Sequence, residues 1–110
     1  GFVCHYETDD PSPYLFWYKQ QANDFPKYML MRFKFGTGDN ATEFKERFHA
    51  DLDANSKSVP LTIQQVLLSD SAVYYCALRP NDAGTKIIFG RGTRLLVLSR
   101  EKHEPSYYTS

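Results

Sequence analysis

Two cysteines, Cys4 and Cys76, and three histidines, His5, His49 and His103, are the side chains with the most chemistry to offer in this chain of 110 residues. A thiolate beside an imidazole base would make a nucleophile, and two thiolates with imidazoles would make a zinc site. Neither fits the order of residues. Cys4 and His5 are neighbours in a strand-like stretch, where successive side chains point to opposite faces and do not converge on one ion. No histidine has neighbours that would tune it as an acid or base, and no carboxylate pair presents itself as an acid–base couple. Gly90-Arg91-Gly92 is not a phosphate loop, because no Gly-Lys-Ser/Thr follows. The expectation is no catalysis, no cofactor, no metal and no small-molecule substrate. The cysteines are left as two buried thiols or as a disulfide.

Charge and composition narrow the field. The 13 Lys and Arg balance 13 Asp and Glu, so there is no excess of cations for a domain that binds nucleic acid through its phosphates. Apolar residues make up 42% and aromatics 15%, enough for one small core and far from a disordered composition. No apolar run approaches the roughly 18 residues that cross a membrane, and residues 1–6 are too short for a secretion signal. The first residue is not Met and the stretch Ser99 to Ser110 is polar. We therefore expect an excerpt of a longer chain, with any signal or anchor elsewhere.

The elements that must position these residues read as strands. Leu15-Phe16-Trp17-Tyr18 follows the loop Asp9-Asp10-Pro11-Ser12-Pro13, and Lys27 to Phe35 precedes the turn Gly36-Thr37-Gly38-Asp39-Asn40. Phe48, Ala50 and Leu52 share one face, and Val59, Leu61 and Ile63 another, across the turn Asp53 to Lys57. Ala72 to Leu78 and Lys86 to Leu98 complete the set. About seven short strands at this spacing predict two antiparallel sheets packed face to face. Pro60, which has no ladder donor, leaves the pairing of its strand open. Alternation puts Ala72, Tyr74 and Cys76 on one inward face with Leu15 and Trp17, and turns Phe16, Tyr18, Gln20 and Tyr75 outward.

Cys4, then Trp17-Tyr18-Lys19-Gln20, then Asp70-Ser71-Ala72-Val73-Tyr74-Tyr75-Cys76, then Phe89-Gly90-Arg91-Gly92-Thr93 resemble the variable domain of an antigen receptor, most closely a T-cell receptor alpha chain. The last segment is similar to one encoded by a joining gene, its glycines permitting a bulge that bends the final strand. Residues 1–99 carry the resemblance, and 100–110 are similar to the start of the alpha constant region or a linker into it. The resemblance implies an all-β, V-type immunoglobulin sandwich with Cys4 and Cys76 joined between the sheets, Trp17 against the bridge and Tyr74 closing the turn before Cys76. Such a bridge contributes on the order of 4 kcal/mol and belongs to an oxidising compartment. Arg47 and Asp70 match a pair that ties the base of the sandwich. Only Gly1-Phe2-Val3 precede Cys4, so the first strand and most of the second are expected to be missing, with an open sheet edge and reduced stability. Asn40-Ala41-Thr42 is an N-glycosylation sequon.

Function follows from the same resemblance. Three loops, at about 8–14, 32–39 and 78–88, would recognise a peptide presented by a major histocompatibility molecule, through Asp9, Asp10, Ser12 and Tyr14, through Arg32, Lys34 and Phe35, and through Arg79, Asn81, Asp82 and Lys86. Tyr18, Gln20, Pro26, Tyr28, Tyr75 and Phe89 would pack against a beta-chain variable domain, Gln20 meeting a counterpart glutamine. The chain would stand at the cell surface, with signalling subunits engaged through other regions. The alternatives are a delta-chain or antibody light-chain variable domain, or an adhesion or co-receptor domain that never rearranged. The joining-like segment argues against the last, and the short 79–83 junction favours alpha over delta.

Overall fold

Alternating apolar and polar residues build strands, and the computed structural model, which describes residues 1–80, 86–99 and 105–109, contains ten of them. β1 (Phe2–His5), β6 (Ser58–Ile63) and β5 (Phe48–Ala50) form one antiparallel sheet in that order. The larger sheet runs β10 (Pro105–Thr109), β9 (Thr93–Ser99), β7 (Ala72–Arg79), β2 (Tyr14–Gln20), β3 (Lys27–Arg32) and β4 (Asp39–Asn40). β8 (Ile88–Phe89) also pairs with β7. The described helical structure is two short 3-10 turns, Thr42–Phe44 and Leu68–Asp70. The all-β sandwich expected above is therefore the fold.

The inward residues of both sheets make one core. Phe2, Cys4, Phe48, Ala50, Val59 and Leu61 meet Leu15, Trp17, Leu30, Tyr74, Leu95 and Val97. Cys4 and Cys76 are joined across it, their Cα atoms 6.2 Å apart. Trp17 lies directly opposite Cys76 in the ladder, and the Phe2 ring stacks 5.1 Å from that of Tyr74.

Three departures from simple alternation have local causes. The register between β2 and β3 shifts at Trp17/Tyr18, so that Tyr28 and Leu30 are paired and Met29 is the extra residue. That bulge lets Met29 and Leu30, neighbours in sequence, both be fully buried. The run expected from Lys86 to Leu98 is broken into β8 and β9, with the Gly90 N–H donating to Cys76 O at the break. A Cβ on Gly92 would lie 2.5 Å from Val73 Cγ1 and 2.7 Å from the Tyr75 ring, so only glycine passes there. Pro60 sits opposite Val3. It shares parity with Gln64, whose N–H points to Arg47 O, so the missing donor of Pro60 faces the β5 side just beyond Ala50, where that ladder ends. Residues 105–109, expected as the start of the constant region or a linker, pair antiparallel with β9 and continue the large sheet.

The base is held by charge. Arg47 Nη1 and Nη2 donate to Asp70 Oδ2 and Oδ1, each at 2.9 Å, and the Leu67 N–H donates to Asp70 Oδ2 at 2.8 Å. The Tyr74 hydroxyl donates to Asp70 O at 2.6 Å, which closes the turn before Cys76. Burial alone pushes the Asp70 carboxyl up, but the hydrogen bonds from Arg47 and Leu67 and the Arg47 charge outweigh it and hold the group below its ordinary value. A depressed carboxyl stabilises the fold above the unfolded value of about 3.9 and loses that contribution as pH falls through the folded value. Asp70→Asn should cost about 3 kcal/mol in denaturant unfolding at neutral pH, near the low end for a buried pair because Arg47 keeps 25% of its side chain in water. The same variant should flatten the acid limb of stability against pH below about 4.

Candidate functional site

The outward side of the large sheet is aromatic. Phe16 and Tyr18 stand on β2, Tyr28 on β3, Tyr75 on β7 and Phe89 on β8. Tyr18 lies 5.0 Å from Phe89 and 6.1 Å from Tyr28, and Tyr75 meets Phe89 edge-on at 6.4 Å. Phe16 points outward yet is only 9% exposed, because Tyr18, Tyr28 and Arg79 cover it. Phe89 keeps 47% of its surface in water, and Leu96 and Leu98 on β9 are exposed as well. The Tyr28 hydroxyl donates to Asp39 Oδ2 at 2.9 Å, and burial together with that bond pushes its pKa well up. Gln20 is half-buried and its Nε2 donates to Asp24 O at 2.9 Å, so half of this amide is satisfied within the β2–β3 turn. Pro26 is exposed beside it.

Three connections leave the sandwich at one end. Tyr14 is paired with Arg79 and Leu15 with Arg32, which puts the stems of the 6–13, 33–38 and 80–87 connections side by side. The Arg79 guanidinium lies 4.8 Å over the Tyr14 ring, and the Tyr14 ring meets Phe33 at 5.4 Å. One cation and two rings thus brace all three stems. The Asp10 N–H donates to Thr8 Oγ1 and Asp10 Oδ1 accepts from the Ser12 N–H at 2.8 Å, a side-chain turn that pins the first connection. Asp9, Lys34 and Lys86 are exposed, and Phe35 is 73% exposed with Lys34 Nζ 5.4 Å from its ring. Asn81 and Asp82, expected in the third loop, lie outside the described residues.

Arg32, expected as a contact residue, is also held within the domain. Its Nε donates to Ala50 O at 2.8 Å, Nη1 to Met31 O and Asp39 O, and Nη2 to Asn40 Oδ1 at 2.8 Å. Every terminal nitrogen is engaged inside the domain. Asn40 is half-buried, and its Nδ2 donates to Phe44 O and Phe48 O. Phe33, which the sequence reading passed over, forms the floor of the loop end. The signal for it was an aromatic three positions before a Gly-rich turn, too weak without the partner Tyr14. Among the described residues no cluster of His, Cys, Asp and Glu could hold a metal ion, and no helix is long and apolar enough to cross a membrane.

Residues 2–98 match the family model described as an immunoglobulin V-set domain. The chain is 45% identical over 94 residues to mouse T-cell receptor alpha chain V region CTL-F3, covering 86% of this chain and 66% of that one. It is 34% identical over 106 residues to human T cell receptor alpha chain MC.7.G5, covering 96% of this chain and 37% of that one. It is 38% identical over 76 residues to human T cell receptor alpha variable 14/delta variable 4, covering 69% and 63%. The chain thus spans just under two thirds of the first relative and little over a third of the second.

The loop-end brace is open to a direct check. Arg79→Ala should remove the guanidinium from both Tyr14 and Phe16 and lower stability by about 1–2 kcal/mol in urea unfolding. Arg79→Lys should recover only part, because an ammonium cannot lie flat on two rings. A full recovery by Lys would mean that charge alone matters there.

Proposed function

The chain belongs to the immunoglobulin V-set family as a T-cell receptor alpha variable domain, and from that premise we propose that it pairs through its outer aromatic face with a beta-chain variable domain and reads a peptide presented by a major histocompatibility molecule. The family is one of receptors rather than enzymes. The observation that carries the pairing is the half-exposed Phe89 ring set between Tyr18 and Tyr75 on a sheet face that already has its other side in the core. Large apolar side chains on the second face of a sheet call for cover. Gln20, with its Nε2 held by Asp24, still offers its carbonyl oxygen at the edge of this face.

The braced loop end supports the recognition half of the proposal. Among the described residues its exposed groups include Asp9, Lys34, Phe35 and Lys86, a mixture of charge and one large ring that suits a polar, partly apolar protein surface. The cell surface is the proposed location, the disulfide between Cys4 and Cys76 fitting an extracellular domain. A delta chain is the second reading, favoured by the likeness to alpha variable 14/delta variable 4. The constant domain joined to this variable domain in the parent transcript separates the two.

Co-refolding tests the pairing. With a beta-chain variable domain the unaltered chain should elute as a heterodimer, and Tyr75→Ser combined with Phe89→Ser should abolish that species while leaving the far-ultraviolet circular dichroism of a β-sandwich. Undiminished pairing by the double variant would refute the assignment of this face.

A further inference from the structure

The outer edge of β5 is closed by side chains where a neighbouring strand would otherwise sit. Arg47 O accepts from the N–H of Gln64, the residue that follows β6, so residues of that parity face β6, and the carbonyls of Phe48 and Ala50 face the other way. Left bare, two such carbonyls would be an unpaired sheet edge. Asn40 Nδ2 donates to Phe48 O at 3.1 Å and Arg32 Nε donates to Ala50 O at 2.8 Å. Asn40 Nδ2 donates again, to Phe44 O at 2.7 Å, and Asn40 Oδ1 accepts from Arg32 Nη2 at 2.8 Å. The two side chains stand on β3 and β4 of the large sheet and reach the edge of the small one, so they stitch the sheets together at a margin that no backbone ladder crosses.

The stitch also holds the second connection down. Gly38 adopts φ +78°, and a Cβ there would lie 2.4 Å from Met31 O and 2.8 Å from Arg32 Cδ. The 33–38 segment therefore folds directly onto the extended Arg32 side chain, and Arg32 is fixed in turn by Asn40.

We propose that Asn40 is the clamp of this edge and not a glycan acceptor: an N-linked sugar on Asn40 and the native β4–β5 edge exclude each other. An asparagine amide has two hydrogens and both are committed here. A sugar replaces one of them with a carbon about 1.5 Å from Nδ2. Along either hydrogen direction a carbonyl oxygen already stands, at 2.7 or 3.1 Å from that nitrogen, which leaves no room for the carbon. Attachment would swing Asn40 out of the edge, strand the Phe44 and Phe48 carbonyls and release Arg32 Nη2. The sequon Asn40-Ala41-Thr42 is thus a sequence match whose asparagine has a different task.

Two substitutions separate the roles. Thr42→Ala removes the sequon through an exposed residue and leaves Asn40 in place, whereas Asn40→Gln removes both sequon and clamp. In amide hydrogen exchange on the whole chain, Asn40→Gln should speed exchange across residues 33–41 and 48–50 by about tenfold or more, with β2 and β7 unchanged, while Thr42→Ala matches the unaltered chain. Equal behaviour of the two variants would overturn the clamp. Failure of Asn40→Gln alone to reach a folded state would be the same separation of the variants in a stronger form. Independently, the unaltered chain secreted from a glycosylating host should show an unmodified Asn40 in the disulfide-bonded, soluble fraction when its peptides are weighed before and after enzymatic deglycosylation. A sugar on Asn40 in that fraction would overturn the proposal whatever the chain binds.

Discussion

The bond between Cys4 and Cys76 ties a four-residue edge strand to the eight-residue strand at the heart of the opposite sheet. β1 has β6 as its described partner, and so short a strand with one neighbour is marginal by itself. Closing a loop of this size removes on the order of 4 kcal/mol of disorder from the unfolded chain. Its further consequence is geometric. Once Cys4 faces the core, Phe2 must face it too and Val3 and His5 must face water, and the Phe2 ring arrives against both Trp17 and Tyr74. A one-residue slip of β1 on β6 would break the bond and turn each of these side chains round.

The two sheets then differ in what they leave outside. The small sheet shows solvent Val3, His5, His49 and Thr62, a mostly polar face that suits a sheet with one wet side. The large sheet shows Tyr18, Tyr28, Tyr75, Phe89 and Leu96. Period two turns Tyr18, Tyr75 and Leu96 away from the core that their neighbours Trp17, Tyr74 and Leu95 occupy, and the Met29 bulge turns Tyr28 away from the side taken by Leu30. The asymmetry is the physical ground for assigning a covering partner to one sheet and not to the other. Gly92 belongs to the same logic: by passing close over Val73 and Tyr75 it lets β8 carry Phe89 across the ring of Tyr75.

The inner half of this architecture was legible because it is written in local alternation and in four residues of unusual type. Phe48 with Ala50, Val59 with Leu61, and Trp17, Tyr74 and the cysteines all face the core as alternation requires. The Met29 bulge was hidden, since the extra residue is apolar and an apolar run looks the same with or without it. The bonds of Arg32 and Asn40 were hidden for a different reason. Residue type suggested a contact arginine and a glycan site, but the destination of a long side chain depends on which acceptors surround it, and here those are carbonyls of residues 44, 48 and 50, supplied by other elements of the chain. Gln20 shares this pattern, its amide turned partly home by a carbonyl four residues on.

The loop end shows how much of the proposed recognition surface is decided beneath it. Tyr14 is half-buried, held by Arg79 on one side and Phe33 on the other, so the first, second and third connections share one brace. Arg32 and Asn40 hold the second connection from below, and Asp10 pins the first through the Ser12 N–H. A loop so fixed has already lost most of the freedom that binding would otherwise take away, and each ordered side chain left flexible would cost about 0.5–1.5 kcal/mol on association. On the proposed reading, affinity therefore rests on the few groups that stand beyond the brace, Asp9, Lys34, Phe35 and Lys86 among those described. Substitutions below the brace act by moving all three connections at once, and those above it act on contacts one at a time.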